Sequence, residues 1–200
     1  MPELTPRDFR TMRFLLSAPN FKAMPAADCA EVAFAGRSNA GKSSALNALC
    51  EQTNLARTSK TPGRTQAINF FDNGRFRFAD LPGYGFAKVP PAVKAEWAKL
   101  IEGYLAERDT LTGIVLIMDA RRPLLEFDLQ LIEWGGAYGL AFHLMLTKAD
   151  KLSRNEQHNT LRQVRRTVEG ASVQLFSASK RTGVDEARRA IGALIPADTE

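Results

Sequence analysis

GRSNAGKS, residues 36–43, fits the phosphate-loop pattern G-x-x-x-x-G-K-[ST]. Gly36 and Gly41 permit backbone conformations and close approaches that a side chain would block. The N–H groups of such a loop turn inward on phosphate oxygens, helped by the positive end of the following helix. The pattern predicts that Lys42 reaches the β- and γ-phosphates and that the Ser43 hydroxyl ligates Mg²⁺. The alternative is a purely structural glycine-rich turn.

The sequence around this loop alternates short apolar runs with helical spacing, which is typical of an α/β domain. The loop itself has a predicted strand before it and a predicted helix after it. Asn73-Gly74 is a hairpin signal between two further strands. We predict a mostly parallel six-stranded sheet with one antiparallel strand and helices on both faces. The predicted strands are 31–35, 67–71, 75–79, 113–118, 141–146 and 172–176. Residues 13–17 are a candidate for an additional edge strand.

Length and composition fit one globular domain, since 200 residues are 44% hydrophobic and 24% charged. We expect residues 1–200 to form a single domain whose first ~25 residues are an N-terminal extension. No apolar run approaches the roughly 20 residues that span a bilayer, and the start lacks a signal peptide's apolar core. A cytoplasmic location without membrane contact is therefore expected. Cys29 and Cys50 make neither a disulfide framework nor a metal-ligand spacing.

DLPG, residues 80–83, closes a predicted strand downstream of the phosphate loop. Asp80 is thereby placed at the carboxyl edge of the sheet, where ligands bind in open α/β folds. There Asp80 can hold Mg²⁺ through water, and the Gly83 N–H can face the γ-phosphate. The alternative is a tight turn made by Pro82 and Gly83. The position just after a hairpin favours the nucleotide interpretation.

Two further motifs follow predicted strands and indicate which base is bound. TKAD, residues 147–150, ends with a carboxylate that can accept hydrogen bonds from guanine N1 and N2, a donor pair that adenine lacks. The stem of Lys148 can lie over the base plane. SAS, residues 177–179, brings the Ala178 N–H where it can meet guanine O6. Each is weak alone, with a surface turn as the alternative, but the order and placement of all the motifs favour a guanine nucleotide.

TPGRTQ, residues 61–66, lies between the phosphate loop and DLPG. A threonine here is needed to complete Mg²⁺ coordination when the γ-phosphate is present. Thr65 is the best candidate, ahead of Thr61 and Thr58, because it directly precedes the strand that leads back to Asp80. The composition suits a segment that orders with GTP and loosens after hydrolysis. A polar surface loop is the alternative.

The predicted site residues belong to these five motifs. Those expected to act on the transferred phosphate are Lys42, Thr65 and Gly83, and those expected to hold Mg²⁺ are Ser43, Thr65 and Asp80. The complete nucleotide-contacting set is Gly36, Arg37, Ser38, Asn39, Ala40, Gly41, Lys42, Ser43, Ser44, Gly63, Arg64, Thr65, Asp80, Leu81, Pro82, Gly83, Thr147, Lys148, Ala149, Asp150, Ser177, Ala178 and Ser179.

The motifs GRSNAGKSS, TPGRTQ, DLPGYG, TKAD and SAS together resemble those of the EngB (YihA or YsxC) family of bacterial GTPases, within the TrmE-Era-EngA-EngB-Septin-like superfamily. The resemblance extends from about residue 14 to about residue 194. It implies a Ras-like phosphate-loop GTPase fold, GTP, GDP and Mg²⁺ as ligands, and a role in large ribosomal subunit assembly. It also implies that loss of the protein disturbs cell division and septation.

Two positions depart from the wider GTPase pattern. Thr147 stands where many GTPases have asparagine, so we expect one contact to the base or the phosphate loop to be lost. Tyr84 follows DLPG where Ras-like enzymes place the glutamine that orients the attacking water. A tyrosine cannot perform that role in the same way, so slow intrinsic hydrolysis is expected.

Asn39 suggests what could compensate for the missing glutamine. In related GTPases with GxxNxGKS loops, the corresponding asparagine helps to hold K⁺ beside the phosphates. A cation there would do the electrostatic work of an arginine finger. The alternative is that Asn39 only tolerates the backbone angles of the loop.

The chain carries a net charge of +5, which permits a polyanionic partner. One basic cluster lies within residues 57–77 and a second within residues 151–166. For a ribosome-assembly factor these are candidate contacts to ribosomal RNA and to large-subunit assembly intermediates; a solvated charged face is the alternative. One compact domain makes a monomer the default expectation.

Three functional hypotheses remain open at this point. The protein is a GTPase switch whose two nucleotide forms differ in affinity for a pre-ribosomal particle, or a nucleotide-sensing binding module in which turnover is incidental. The third hypothesis is an adenine-nucleotide phosphotransferase built on the same loop. TKAD, SAS and the lack of a long lid insertion argue against the third.

Overall fold

The computed structural model describes residues 4–56, 67–85 and 91–196. Strands and helices alternate along most of this length, as predicted. The strands are β1 (Arg13–Ala18), β2 (Glu31–Gly36), β3 (Ile68–Asp72), β4 (Arg77–Asp80), β5 (Leu111–Asp119), β6 (Ala141–Thr147) and β7 (Ser172–Leu175). The α-helices are α1 (Pro6–Arg10), α2 (Lys42–Cys50), α3 (Pro91–Glu107), α4 (Glu126–Ala137), α5 (Arg154–Thr167) and α6 (Val184–Leu194).

The described strands form one sheet in the order β1-β3-β4-β2-β5-β6-β7. Strand β3 is antiparallel to both of its neighbours, and the other strand pairs are parallel. The prediction of a mostly parallel sheet with one antiparallel strand is confirmed. The predicted count of six strands is corrected to seven, because β1 pairs with β3 along the edge of the sheet.

Helices cover both faces of the sheet, and side chains of successive strand residues enter opposite cores. On β5, Ile114 and Leu116 point into the core beneath α3, α4 and α5. Val115 and Ile117 point into the core beneath α1, α2 and α6. A strand buried on both faces gives the continuous apolar run seen in the sequence.

The segment expected as an N-terminal extension contributes to this architecture. It contains α1, which packs against α2, and the edge strand β1. Phe9 and Met12 are fully buried, and the Phe9 ring lies 6.0 Å from the rings of both Phe76 and Phe78. These residues therefore belong to the second of the two cores.

The parallel strands bring their carboxyl ends to the same edge of the sheet. Gly36 ends β2, Asp80 ends β4, Asp119 ends β5 and Thr147 ends β6. The motifs that are far apart in sequence therefore converge at one edge.

Candidate nucleotide-binding site

The phosphate loop connects β2 to α2 in a tightly constrained path. A Cβ atom on Gly36 would lie 2.6 Å from the carbonyl oxygen of Ile117, so a larger residue would push β2 away from β5. Asn39 and Gly41 have φ values of 64° and 98°, in the left-handed region. Gly41 is the N-cap residue of α2 and supplies no side-chain cap. This is the arrangement in which the first turn of a helix binds phosphate.

Lys42 and Asp80 are in direct contact at the start of α2 and the end of β4. Their side chains are only 12% and 9% exposed, so the pair lies in a sheltered position. The contact brings together the cation predicted to bind phosphate and the carboxylate predicted to bind Mg²⁺. The two motifs are therefore adjacent in space although 38 residues separate them in the sequence.

The DLPG segment runs beside the phosphate loop. The Ser38 N–H donates to the Tyr84 carbonyl oxygen at 2.9 Å, and Arg37 and Tyr84 form a parallel bridge. A Cβ on Gly83 would lie 3.4 Å from the Ser38 nitrogen, so the two backbones are close at this point. This geometry places the Gly83 backbone next to the loop where a terminal phosphate is expected.

The side chain of Tyr84 is held by other residues. It is 4% exposed, its hydroxyl donates to the Asp128 carboxyl group, and its ring packs against those of Trp97 and Phe127. The second Asp128 oxygen accepts from the Leu125 N–H at 2.9 Å. Burial, followed by the negative charge of Asp128, raises the pKa of Tyr84 far above its ordinary value. Tyr84 therefore anchors the DLPGY segment to α4.

Thr147 and Lys148 both contact the phosphate loop. The Thr147 hydroxyl lies within hydrogen-bonding reach of the Ala40 carbonyl oxygen and 3.1 Å from that of Met118. The Thr147 hydroxyl therefore keeps a contact to the phosphate loop, which corrects the loop part of the expected loss; the loss of a contact to the base stays a prediction. The Lys148 ammonium donates to the Asn39 carbonyl oxygen at 2.6 Å. TKAD is thereby linked to the loop through two side chains.

Asp150 is held in place by the SAS segment. The Ser177 hydroxyl donates to the Asp150 carboxylate at 2.6 Å, and the Ala149 N–H donates to the Phe176 carbonyl oxygen at 3.1 Å. The hydrogen bond from Ser177 lowers the pKa of Asp150, with a smaller contribution from Lys151. A charged carboxylate is the form that accepts both donors of a guanine edge.

Asp119 was not among the predicted site residues, yet it holds Lys148. Its carboxylate lies 3.0 Å from the Lys148 ammonium and 2.7 Å from the Arg121 guanidinium. The hydrogen bond from Arg121, then that from Lys148, keep the pKa of Asp119 well below its usual range. The signal that could have identified it is its position, because Asp119 ends a buried strand as Asp80 does.

A cavity of about 500 Å³ lies between the phosphate loop and the segment that joins β5 to α4. It includes Asn39, the residue on which the K⁺ hypothesis depends. Its lining residues are Arg37, Ser38, Asn39, Ala40, Met118, Asp119, Arg121, Arg122, Leu125, Asp128 and Lys148.

The structure thus brings together the predicted residues of four motifs, 36–44, 80–83, 147–150 and 177–179. The candidates in the fifth motif, Gly63, Arg64 and Thr65, lie outside the described residues, as do Thr58 and Thr61. Their predicted roles therefore remain predictions.

The donor set at this edge fits Mg²⁺ bound together with phosphate. Within the described ranges, no three His, Cys, Asp or Glu side chains gather into a site that could hold a metal by themselves. Mg²⁺ commonly uses one or two protein oxygens and completes its octahedron with phosphate oxygens and water. A Ser43 hydroxyl and an Asp80 carboxylate beside a phosphate loop match that requirement.

Comparisons with known proteins agree with this geometry. The sequence model of the family described as "50S ribosome-binding GTPase" matches residues 31–148. A probable GTP-binding protein EngB from Stenotrophomonas maltophilia is 52% identical over 186 residues, covering 90% of this chain and 93% of the relative. Its counterpart from Methylobacillus flagellatus is 51% identical over 189 residues, covering 92% of this chain and 91% of the relative.

Solved structures show the same fold. A crystal structure of a probable GTP-binding protein engB superposes with a TM-score of 0.69 at 21% identity, covering 82% of this chain and 98% of the other. Era in complex with MgGDPNP and a segment of 16S ribosomal RNA superposes with a TM-score of 0.65 at 16% identity. That match covers 86% of this chain and 58% of Era. The chain belongs to the EngB family of GTP-binding proteins, which are phosphate-loop GTPases that hydrolyse GTP.

Proposed function

We propose that this protein is a Mg²⁺-dependent, slow GTPase that acts as a single-domain, monomeric switch in large ribosomal subunit assembly in the cytoplasm. We further propose that normal cell division and septation depend on this role. The observation that carries the proposal is the contact between Lys42 and Asp80, which joins the phosphate-binding and Mg²⁺-binding motifs at one edge of the sheet. Family membership supports the link to the large subunit. In the described part of the chain, no helix has the length and apolar character to cross a membrane.

In this proposal each motif performs one task on the nucleotide. Lys42 and the loop N–H groups bind the phosphates, and the Gly83 N–H orients the γ-phosphate. Asp150, held by Ser177, selects guanine, while the stem of Lys148 covers the base. Mg²⁺, held through Ser43, Asp80 and Thr65, neutralises charge on the phosphates when bound.

The environment of Tyr84 supports slow intrinsic turnover. Its hydroxyl is bonded to Asp128 and its ring is packed between Trp97 and Phe127. A side chain held in this way is not available to orient a water at the γ-phosphate. We propose that a partner in the pre-ribosomal particle, or K⁺ near Asn39, supplies the missing stabilisation. Equal hydrolysis rates in K⁺ and Na⁺ buffers would remove K⁺ from this proposal.

The base-reading assignment is tested by titrating the protein with fluorescent GDP, GTP and ATP analogues, with and without Mg²⁺, and repeating the titration for Asp150→Asn. Wild type should select guanine, and the variant should lose that selectivity or shift toward xanthine nucleotides. Asp185→Asn, an exposed carboxylate on α6, is the matched control. Equal binding of ATP by the wild type would contradict the assignment.

The switch proposal is tested by hydrolysis rates with and without purified large ribosomal subunits. A switch should turn over faster with the particle and should sediment with it differently in its GTP and GDP forms. Identical rates and identical sedimentation would favour the alternative, a nucleotide-sensing module with incidental turnover. Depletion of the protein in cells, followed by large-subunit profiles and septum counts, tests the cellular role.

A further inference from the structure

Helix α5 is the most positively charged helix in the described part of the chain. Residues 154–167 contain four arginines and one glutamate, a net charge of 4 − 1 = +3. Helix α4 contains three acidic residues and no basic ones, and α6 contains two of each. The charge of the whole protein is therefore unevenly distributed over its surface, and much of the positive excess lies on one helix.

The arginines of α5 differ from most others in their partners. Within the described ranges, none of the four has an acidic side chain within 4 Å, and each is exposed. The single acid of the helix, Glu156, is engaged in capping, since it accepts from the Ser153 N–H at 2.7 Å. The arginines elsewhere that do pair with an acid are Arg10, Arg75, Arg77, Arg108, Arg121, Arg181 and Arg188.

Helix α5 groups three arginines and a histidine on one face. His158, Arg162 and Arg166 follow one another at a spacing of four residues, and Arg165 lies beside them. Together with Leu161 they line a shallow groove of about 270 Å³. Like charges at this spacing repel and destabilise an isolated helix. Arg162 and Arg166 form one such pair, whereas the helix dipole favours Arg165 and Arg166 in the last turn. The face is therefore a concentrated patch of positive charge.

The structure separates this face from the other basic cluster of the sequence. Arg75 pairs with Asp8, and Arg77 is largely buried among Asp28, Asp72 and Glu31. Both guanidinium groups therefore form ion pairs within the protein. The remaining members, Arg57, Lys60 and Arg64, lie outside the described residues.

We propose that the α5 basic face, defined as His158, Arg162, Arg165 and Arg166, binds the phosphate backbone of ribosomal RNA. The inference rests on the proposed function and names the contact surface for it. Arginine guanidinium groups match phosphate oxygens in pairs, and phosphate contacts dominate the affinity of proteins for nucleic acids. At 1.5 Å per residue, Arg162 lies about 12 Å along α5 from its start beside Asp150.

The test replaces three charges together as Arg162→Gln, Arg165→Gln and Arg166→Gln. The matched control is Arg7→Gln, Arg13→Gln and Lys22→Gln, which removes the same charge from exposed positions near the opposite edge of the sheet. The probes are a fluorescent RNA duplex of about 20 base pairs and purified large ribosomal subunits. Both are titrated between about 50 and 200 mM KCl in GDP and in a GTP analogue.

We expect the α5 variant to bind both probes about tenfold or more weakly than wild type. The slope of the logarithm of its binding constant against the logarithm of the salt concentration should be smaller in magnitude by about two to three. The control variant should keep affinity within about threefold, and nucleotide affinity should be unchanged in both. The triple Arg→Lys variant should recover part of the binding, because lysine restores the charge but not the paired contact of a guanidinium with phosphate. The Tm of each variant shows whether it is folded.

The possible outcomes distinguish a failure of this inference from a failure of the proposed function on which it rests. If wild type binds neither probe, the proposed role on the large subunit fails and this inference fails with it. If wild type binds both probes but the α5 variant binds them as the control does, the RNA-binding role of the α5 basic face is overturned. The proposed function on the large subunit is then unaffected. If the α5 variant no longer binds the large subunit but binds the RNA duplex as well as wild type does, the face contacts an acidic protein. That result overturns the assignment of RNA as its partner.

Discussion

At the scale of single residues, Tyr84 shows how one side chain joins the nucleotide site to the core. It directly follows Gly83, the glycine predicted to face the γ-phosphate, yet its hydroxyl and ring are held by residues of α3 and α4. The hydrogen bond between Tyr84 and Asp128 is buried, and Asp128 is 2% exposed. Removing one partner of such a pair leaves the other polar group buried without that hydrogen bond, which costs stability.

Tyr84→Phe should therefore destabilise the protein by about 1–3 kcal/mol, because the Asp128 carboxyl group loses a buried donor. Urea unfolding of Tyr84→Phe, Asp128→Asn and the double variant measures the coupling between them. We expect a coupling energy of about 0.5–3 kcal/mol. Strictly additive effects would mean that the hydrogen bond contributes nothing. Tyr138→Phe, on an exposed tyrosine, is the control.

His143 makes stability depend on pH. The ring is buried between Ser172, at 2.8 Å from Nδ1, and Gln174, at 3.1 Å from Nε2. The Gln174 amide nitrogen donates to Gly183, so its oxygen faces the ring and accepts from Nε2–H. Burial lowers the pKa of His143 to about 4, from the ordinary 6.5. The folded protein therefore holds this proton less tightly than the unfolded chain does.

The stability associated with neutral His143 should be complete above pH 6.5 and should fall as the pH drops toward 4. The loss should approach about 1.4 kcal/mol per pH unit, and about 3 kcal/mol in all. His143→Gln should lower stability at pH 7.5 and should also flatten this dependence, whereas His158→Gln, at an exposed position, should not. Parallel stability curves for wild type and His143→Gln would contradict the assignment. Unfolding free energies from pH 7.5 to 4 provide the measurement.

At the scale of elements, Arg188 joins α6 to the end of the phosphate-loop helix. Its guanidinium donates to the Leu49 carbonyl oxygen from Nε at 3.0 Å and from Nη2 at 2.7 Å. The same group lies 2.9 Å from Glu51 and 5.5 Å above the Phe9 ring. A cation at the C-terminus of a helix satisfies its last carbonyls and is favoured by the helix dipole. Arg188 therefore caps α2 from a helix that follows it by more than a hundred residues.

Arg188→Ala should destabilise the protein by about 2–4 kcal/mol, because it leaves the buried Leu49 carbonyl without its donor and removes one of the three arginines that pair with Glu51. Arg188→Lys should recover only part of this, since one ammonium cannot make the forked contact. Arg189→Ala, at the exposed neighbouring position, should change stability by less than about 0.5 kcal/mol. Equal unfolding free energies for the two alanine variants would refute this role for Arg188.

Prediction from sequence succeeded where a single motif or the hydrophobic pattern of a single element was sufficient to identify the structure. The phosphate loop needed only its own residues, and β5 was evident as a continuous apolar run. It failed where the information lies in contacts between distant segments. The edge strand at residues 13–17 was only a candidate, because it is mostly exposed and lacks alternation; its pairing with β3 confirms it as β1. The reach of the Thr147 hydroxyl to Ala40 depends on a distance across the sheet edge.

The basic cluster of residues 57–77 shows the same limit. Proximity in sequence suggested a shared surface, but Arg77 turns into the protein from β4 and Arg75 meets Asp8 of α1. In α5 the helical period does place its arginines together, so there the sequence pattern and the surface agree.

At the scale of the whole molecule, nucleotide binding should stabilise the fold, because the residues proposed to contact phosphate and base come from both halves of the sheet. With GDP and Mg²⁺ at about 100 times Kd, the gain should be about 2.7 kcal/mol, or roughly 5–10 °C in Tm. Lys42→Ala should abolish most of this shift, and Lys99→Ala, on α3, should not. Thermal unfolding with GDP, GTP and ATP measures it. An equal shift with ATP would contradict guanine selection.

The cap that Arg188 places on α2 has a consequence for how the chain is made. Translation delivers the phosphate loop early, but the base-reading loops arrive near residues 150 and 177 and the cap arrives only at residue 188. Until then, the end of the phosphate-loop helix lacks this cap, although both loops of the proposed base site have already been made. We expect a nascent chain released before α6 to be unstable, because the last carbonyls of α2 lack the guanidinium that caps them.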